Sequence, residues 1–446
     1  MTPEARSGEG LRRVLGRWDL TAIGVNQVIG GAIFLIPAQV YFHLGAWSPI
    51  AMLVTGVCSM LVALCFAEAG SRFESTGGAY LYSREAFGPL IGMEVAWMQW
   101  FTRVASLASV ASGICIAVAF YYPAAGYGLG RDLLLTVIMS ALMLVNIWGI
   151  KQSSNFVNFL AVAKLLPLAT LIIVGAWFIK PQAYLALTPI APRDLTAAAL
   201  LLVFAFGGFD IIGIPAGESR SPRRDIPFAL LTTVTGVTLI FITVQVVLMG
   251  TSTDLAHTQT PVADVMHRLL GPVGALAVAF GAVLSMIGNN MGQILSGSRV
   301  LFALAQRNEL TPAFARVHEV RRTPVVAIVV TTAISLALAL TGSYVILASV
   351  SAIARLTAYA GTAAATLKLR HMDRDHRVPK ATFVIPGGPV VPILALASST
   401  LILVGATWEQ LAYGVAALLV GVILFTIAKQ AQTTPKEESA GPSAPR

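Results

Sequence analysis

Apolar residues along this chain come in blocks of roughly 20, separated by short polar stretches. A block of that length crosses the hydrocarbon core of a bilayer as a helix. Twelve such blocks fall at 19–42, 48–70, 90–121, 131–150, 156–179, 196–218, 227–250, 272–306, 324–342, 344–369, 385–405 and 408–429. Lipid offers the backbone no hydrogen-bond partners, so each block is expected to be helical and the fold class an all-α membrane protein. Nothing of domain size remains between the blocks. The longest polar connections are 70–89, 307–323 and 370–384. The order reads as an N-terminal tail (1–18), a first run of five spans (19–180), a second run of five (196–370), two further spans (385–429) and a Pro/Ser/Glu-rich tail (430–446).

Two blocks depart from the pattern in the same way. The first holds Gly30 and Gly31, then Phe34 and Pro37; the sixth holds Gly207 and Gly208, then Phe209 and Pro215. Paired glycines followed by proline weaken a helix about halfway across. Each pair opens a run of five spans, and the two runs start on opposite sides, so they are inverted. Matched, interrupted helices in two inverted halves point to a transporter site near the midplane. The competing reading is that the glycines serve close helix packing.

Charge and composition change this picture little. Of the residues 56% are hydrophobic and 11% charged, with a mean hydropathy of +0.77, against about 25% charged in an average soluble domain. The net charge of +9 raises a nucleic-acid reading, which its distribution argues against. With the N-terminus inside, 22 of the 30 Lys and Arg fall at or near cytoplasmic segments, Arg131, Lys180, Arg193 and Arg268 fall outside, and Arg103, Lys164, Arg299 and Arg355 lie within spans. Basic loops stay on the cytoplasmic side, so the excess is topological and places both termini in the cytoplasm of an inner-membrane protein. Cys58, Cys65 and Cys115 lie in apolar blocks without paired spacing, which indicates neither a disulfide framework nor zinc. The first 18 residues carry no short apolar core with a cleavage site, so no cleaved signal peptide is expected.

Five motifs lie in order on these spans: VIGGAIFLIP (28–37), STGGAYLYSREAFGPLIG (75–92), FAFGGFDIIGIPAGESRSPRRDIP (204–227), SGSRVLFALAQRNELTPAFARVH (296–318) and FVIPGGPVVPILA (383–395). Together they resemble the amino acid–polyamine–organocation (APC) family of secondary transporters, over about residues 17–429, with Ala32 in place of the last glycine of that family's first-helix pattern. The resemblance implies a LeuT-like inverted-repeat fold with broken helices 1 and 6 and two C-terminal helices. It also implies alternating access by rocking of spans 1, 2, 6 and 7 against the rest.

A broken helix exposes N–H groups that attract a carboxylate and carbonyls that attract an ammonium ion. An α-amino acid carries both charges. Gly30, Gly31 and Ala32, with Ile29 beside them, are the candidate carboxylate seat. Phe204, Ala205 and Gly207 offer the carbonyls for the amine, which the resemblance also implies, along with an aromatic from Phe204, Phe206 or Phe209 closing over the cargo. Ordinary packing is the alternative for each phenylalanine.

Lys164 lies about 12 Å along its helix from the cytoplasmic end, at 1.5 Å per residue. A lysine at that depth is costly unless paired or neutral, which makes it a candidate proton carrier. By resemblance it stands where sodium-coupled relatives hold their ion. The alternative is a lysine that snorkels to the interface. Asp210 is the second candidate for proton coupling. Arg103 and Arg355 either read an anionic group of the substrate or pair with Asp210. Glu94 and Arg299 reach interface water, and Glu218 is a candidate gate residue.

Only His43 among six histidines borders a span, so neither a histidine relay nor a metal cluster is indicated, and the glycine-rich strings lack a P-loop lysine. No cofactor is expected. The sequence thus reads as a non-enzymatic permease for an amino acid or related amine, with protons and the bilayer as its other partners. Proton-coupled uptake is the first reading and amino-acid exchange its rival. A channel or a membrane-embedded enzyme is remote, lacking a ring of like polar groups or a catalytic cluster.

Overall fold

The apolar blocks become helices in the computed structural model, which describes residues 15–74, 77–149, 154–185, 187–321 and 323–433, with the side chains of 154–163 and 431–433 set aside. Residues 1–14 and 434–446 of the expected tails, and Ser75 and Thr76 of the loop motif, lie outside the described residues. The helices are α1 (Arg17–Val28), α2 (Ala32–Leu44), α3 (Ser48–Gly70), α4 (Ala79–Phe87), α5 (Pro89–Ala119), α6 (Gly128–Trp148) and α7 (Ser154–Gly175). They continue as α8 (Pro192–Ala205), α9 (Pro222–Thr251), α10 (Pro261–Gln306), α11 (Val325–Thr341), α12 (Tyr344–Arg374), α13 (Val390–Val404) and α14 (Trp408–Thr433). Among the described residues the only extended pairing is a single bridge between Leu15 and Ser219. Eight stretches are long and apolar enough to cross a membrane, and three shorter apolar helices accompany them.

Four expectations need correction. The sixth block is not a helix to residue 218: α8 stops at Ala205, and the chain goes on in 3-10 turns over Phe209–Gly213 and Ala216–Glu218. Gly208 at φ +121°, Gly213 and Pro215 leave no room for regular i→i+4 bonding there. Pro37, by contrast, does not interrupt α2; it sits inside an intact helix. The polar connection 70–89 contains a helix of its own, α4, and α10 begins at Pro261 with a turn at Gly271 (φ +68°) before Pro272.

The core is organised around α5, which packs most extensively on α10 and α12. Its inner face carries Ala105, Ala108, Ser109, Ala111, Ser112 and Gly113, and α12 answers with Ala348, Ser351, Ala352 and Ala358, all of them buried, with Leu35 and Met286 close against Gly113. Small side chains let these backbones approach closely, the usual packing device between apolar helices. Large apolar side chains point outward instead, among them Val137, Trp177, Phe280, Leu401 and Trp408. An exterior of that kind suits lipid rather than water.

Candidate functional site

The first interruption runs from Ile29 to Gly31. Ile29 donates to the Val25 carbonyl (2.9 Å) and Gly30 to that of Val28 (2.8 Å), which closes α1. At the start of α2 the N–H groups of Gly31, Ala32 and Ile33 have no intrahelical acceptor by position. The second interruption, Phe206–Gly208, closes α8 by bonds from Phe206 to Leu202 (2.9 Å) and from Gly207 to Phe204 (3.1 Å).

The two breaks face one another in opposite directions. A Cβ at Gly24 would meet Ile212, and one at Gly208 would lie 3.0 Å from the Gln27 carbonyl, so rising numbers in α1 pair with falling numbers after α8. The half-helices α2 and α8 pack together beyond the break. The glycines serve packing as well: a Cβ at Gly30 would stand 2.7 Å from the Asn289 amide nitrogen, and one at Gly31 would stand 3.0 Å from Met286.

A collar of polar side chains holds the end of α1. Lys164 of α7 is fully buried and its Nζ donates to the carbonyls of Asn26 (2.8 Å) and Ile29 (2.8 Å) and to Asn26 Oδ1 (2.5 Å). Three donors meet three acceptors, so the ammonium is fully used. Ser285 donates to the carbonyls of Ile29 (3.1 Å) and Gly30 (3.2 Å), and Asn289 donates to that of Gln27 (2.6 Å). The snorkelling geometry is therefore not adopted.

Beside the second break lie three more interior charges. Arg103 of α5 is hydrogen-bonded to Asp210 Oδ2, and Arg355 Nη1 of α12 stands 3.9 Å from Asp210 Oδ1. All three are buried. Arg355 also donates to Ser106 (3.2 Å), which shares a bond with Ser351 (2.7 Å). A Cβ at Gly207 would overlap the Arg355 guanidinium, so the arginine head lies directly on the break. The expected alternatives for the arginines thus meet at one place: both converge on Asp210, and one positive charge is left over.

The aromatic candidates divide. Phe204 meets Tyr344 edge-on (6.1 Å), and Phe209 stacks on Tyr359 (5.3 Å) with Phe66 beside it (6.1 Å). Phe206 turns to Phe241 of α9 (5.0 Å). Ala205 is buried within α8, and Ala32 opens α2. Glu218 lies apart from the breaks, half-buried, its carbonyl accepting from Leu15 N (3.0 Å). Glu94 lies near Trp97 and Gly421, away from this cluster. No group of three or more metal-ligating side chains occurs among the described residues.

Sequence reasoning passed over Asn26, Gln27, Ser285, Asn289, Ser106, Tyr344 and Tyr359. The amides carry a visible signal: VNQVIGG (25–31) and GNNMGQ (288–293) place polar groups inside apolar blocks. The serines and tyrosines carry none, because such residues are common in membrane helices for packing. A second polar cluster at the end of the bundle where α1 begins was also unread. Glu68 of α3, fully buried, binds Arg370 of α12 (2.5 Å), Arg72 (3.5 Å) and Ile385 N (2.9 Å), while Arg72 binds Asp373 (2.7 Å).

Comparison with known proteins supplies an independent view. The sequence profile of a family described as amino acid permease matches residues 15–435. The chain is similar to the branched-chain amino acid permease BcaP of Bacillus subtilis, 28% identical over 94% of both chains. It is similar to the methylthioribose transporter of the same organism, 27% identical over 87% of both chains. It is also similar to that organism's serine/threonine exchanger SteT, 27% identical over 88% of this chain and 91% of the relative.

Proposed function

Because the chain belongs to the amino acid permease family, whose members are transporters in the membrane, we propose that it is a secondary transporter of amino acids that binds its cargo between the two interrupted spans. The observation that carries this reading is the face-to-face, antiparallel placement of the breaks at 29–31 and 206–208. Free N–H groups at Gly31 and Ala32 suit a carboxylate, and carbonyls at Phe204, Ala205 and Gly207 suit an amine. Phe204, against Tyr344, is the aromatic best placed to close over the cargo.

The same reading takes the chain across the membrane twelve times. Eight long and three shorter apolar helices are present, and the stretch Ala32–Gly70 counts twice because it turns at Gly45 (φ +52°). Residues 19–180 and 196–370 are then two inverted five-span repeats of the LeuT-like kind, followed by two further helices. The asymmetry of basic residues orients both termini to the cytoplasm of a cell membrane. Glu218, tied to Leu15, sits at the cytoplasmic gate.

For coupling we take protons. Lys164 uses the Asn26 and Ile29 carbonyls that a sodium ion would otherwise claim, so uptake is sodium-independent. Lys164 and Asp210 are the groups that would carry the proton. The similarity to a serine/threonine exchanger favours exchange as the second reading. Purified protein in proteoliposomes tests both. Uptake of amino acids driven by an imposed proton gradient is the expected result, unaffected by replacing sodium with choline. Counterflow with no response of net uptake to an imposed proton gradient would establish exchange, and no movement of any amino acid under either condition would remove the transport reading.

A further inference from the structure

Relatives named for branched-chain amino acids, for serine and threonine and for methylthioribose show that related chains carry cargo of different chemistry, so the cargo's identity must lie in the side chains around the breaks. The charges there do not balance. Lys164 docks on Asn26 and Ile29, Gln27 between them lies against Gly208, and Arg355 lies on Gly207. Within this short stretch stand three cations, Lys164, Arg103 and Arg355, and one anion, Asp210. The other fully or nearly buried acids are engaged elsewhere: Glu68 with Arg72 and Arg370, Asp225 with Ser219, and Glu309 with Tyr80 and Arg84.

The donors do not balance either. Arg103 Nε and Nη1 and Arg355 Nε and Nη1 are buried without a hydrogen-bond partner among the described residues. Asp210 Oδ1 and the Tyr359 hydroxyl are unpaired acceptors beside them; serving both, the first by tightening its 3.9 Å contact with Arg355, would use two of these four nitrogens and leave two. Buried donors of that kind are almost always satisfied in native proteins, and unpaired intramembrane charge is costlier still. A zwitterionic cargo with a neutral side chain adds no net charge and so leaves the imbalance as it stands. A cargo with a second carboxylate supplies one negative charge and up to four acceptor sites, in the planar geometry that a guanidinium fork matches.

We propose that the cargo is an acidic amino acid, with its side-chain carboxylate seated on Arg355 and Arg103 beside the break at Gly207. This rests on the transport reading above and names its substrate class. Asp210 is then a positioning residue, holding Arg103 toward the seat.

The experiment compares the parent protein with Arg355→Gln and Arg355→Lys in proteoliposomes. Counterflow of labelled glutamate, aspartate, leucine and serine is measured, and thermal stabilisation by glutamate is read on the same detergent-purified samples. In the parent, glutamate and aspartate are expected to exchange and the neutral pair to need about thirtyfold or more higher concentration, the lower bound for losing one partner of a buried, hydrogen-bonded charge pair. Arg355→Gln is expected to raise the glutamate requirement by a similar factor, and Arg355→Lys, which keeps the charge, by less. Exchange of the neutral pair without the acidic pair would overturn the acidic class and leave the transport reading standing. Equal glutamate handling by parent and Arg355→Gln would overturn the seat. Glutamate stabilisation with no exchange of any amino acid would keep the seat and remove transport; neither stabilisation nor exchange would remove both. The parent's own selectivity decides the class even where Arg355→Gln does not fold.

Discussion

Lys164 joins the fold to the proposed coupling through one side chain. Its ammonium has three donors and the end of α1 offers three acceptors, in the carbonyls of Asn26 and Ile29 and in Asn26 Oδ1. Proton loss would leave one acceptor unserved and loosen α1 from α7 at the break. Lys164→Met removes all three bonds, and each buried acceptor left unserved costs about 1–3 kcal/mol. The expected outcome is a melting temperature lower by several degrees together with loss of gradient-driven uptake. A variant that melts lower yet transports at the parental rate would make Lys164 structural only. At the opposite break the constraint is conformational. Gly208 holds φ +121°, and a Cβ there would stand only 3.0 Å from the Gln27 carbonyl. Any side chain there is strained by about 1–3 kcal/mol. Gly208→Ala is therefore expected to lower uptake at least severalfold, measured at matched protein levels, whereas Gly236→Ala, where a Cβ meets nothing, should leave it unchanged.

At the scale of elements, apolar block length carried most of the information. The second block and α3 share the bounds 48–70, and the glycine pairs lie at both interruptions. Two features were hidden for physical reasons. The stretch after Gly208 is apolar enough to read as helix, but its winding is decided by Gly208, Gly213 and Pro215 against the end of α1, a tertiary constraint. The second is the ion pairing: Asp210 with Arg103 or Arg355 was one of two open readings, while Glu68 with Arg370 was hidden because the partners sit on distant elements. Residue type marks such groups as needing partners, yet only the packing of α5 and α12 on the turn after α8, or of α3 on α12, selects them. The Glu68 cluster ties α3, α12 and the segment before α13 at one end of the bundle, with Arg223 adding a bond to the Ser71 carbonyl (2.9 Å). Removing one partner of a buried pair costs about 3–5 kcal/mol. Glu68→Gln is expected to lower the melting temperature accordingly and to speed amide exchange at Ile385, whose N–H the carboxylate accepts (2.9 Å).

For the whole molecule, the packing falls into two sets. Helices α1 and α3 lean chiefly on α9, and α2 on α8; helices α7, α11 and α12 lean on α10 or α5. The first set holds both interruptions, and the second holds Lys164, Arg103 and Arg355. The three cations thus lie on one side of a seam, and the broken backbones with Asp210 on the other, so motion across the seam would open or close the proposed site. That is the arrangement a rocking carrier needs, and α3 against α12 is a place to test it. Thr366 of α12 donates to the Cys65 carbonyl of α3 (3.2 Å). Thr366→Cys therefore puts a second thiol against the backbone of a native cysteine, across the seam and one turn from the Glu68 pair. Oxidation of this variant in proteoliposomes is expected to form the cross-link, to stop transport, and to be reversed by a reductant, while Cys65→Ser/Thr366→Cys stays insensitive. A cross-linked protein that still transports at its reduced rate would mean that α3 and α12 move as one, and the moving boundary would have to be drawn elsewhere.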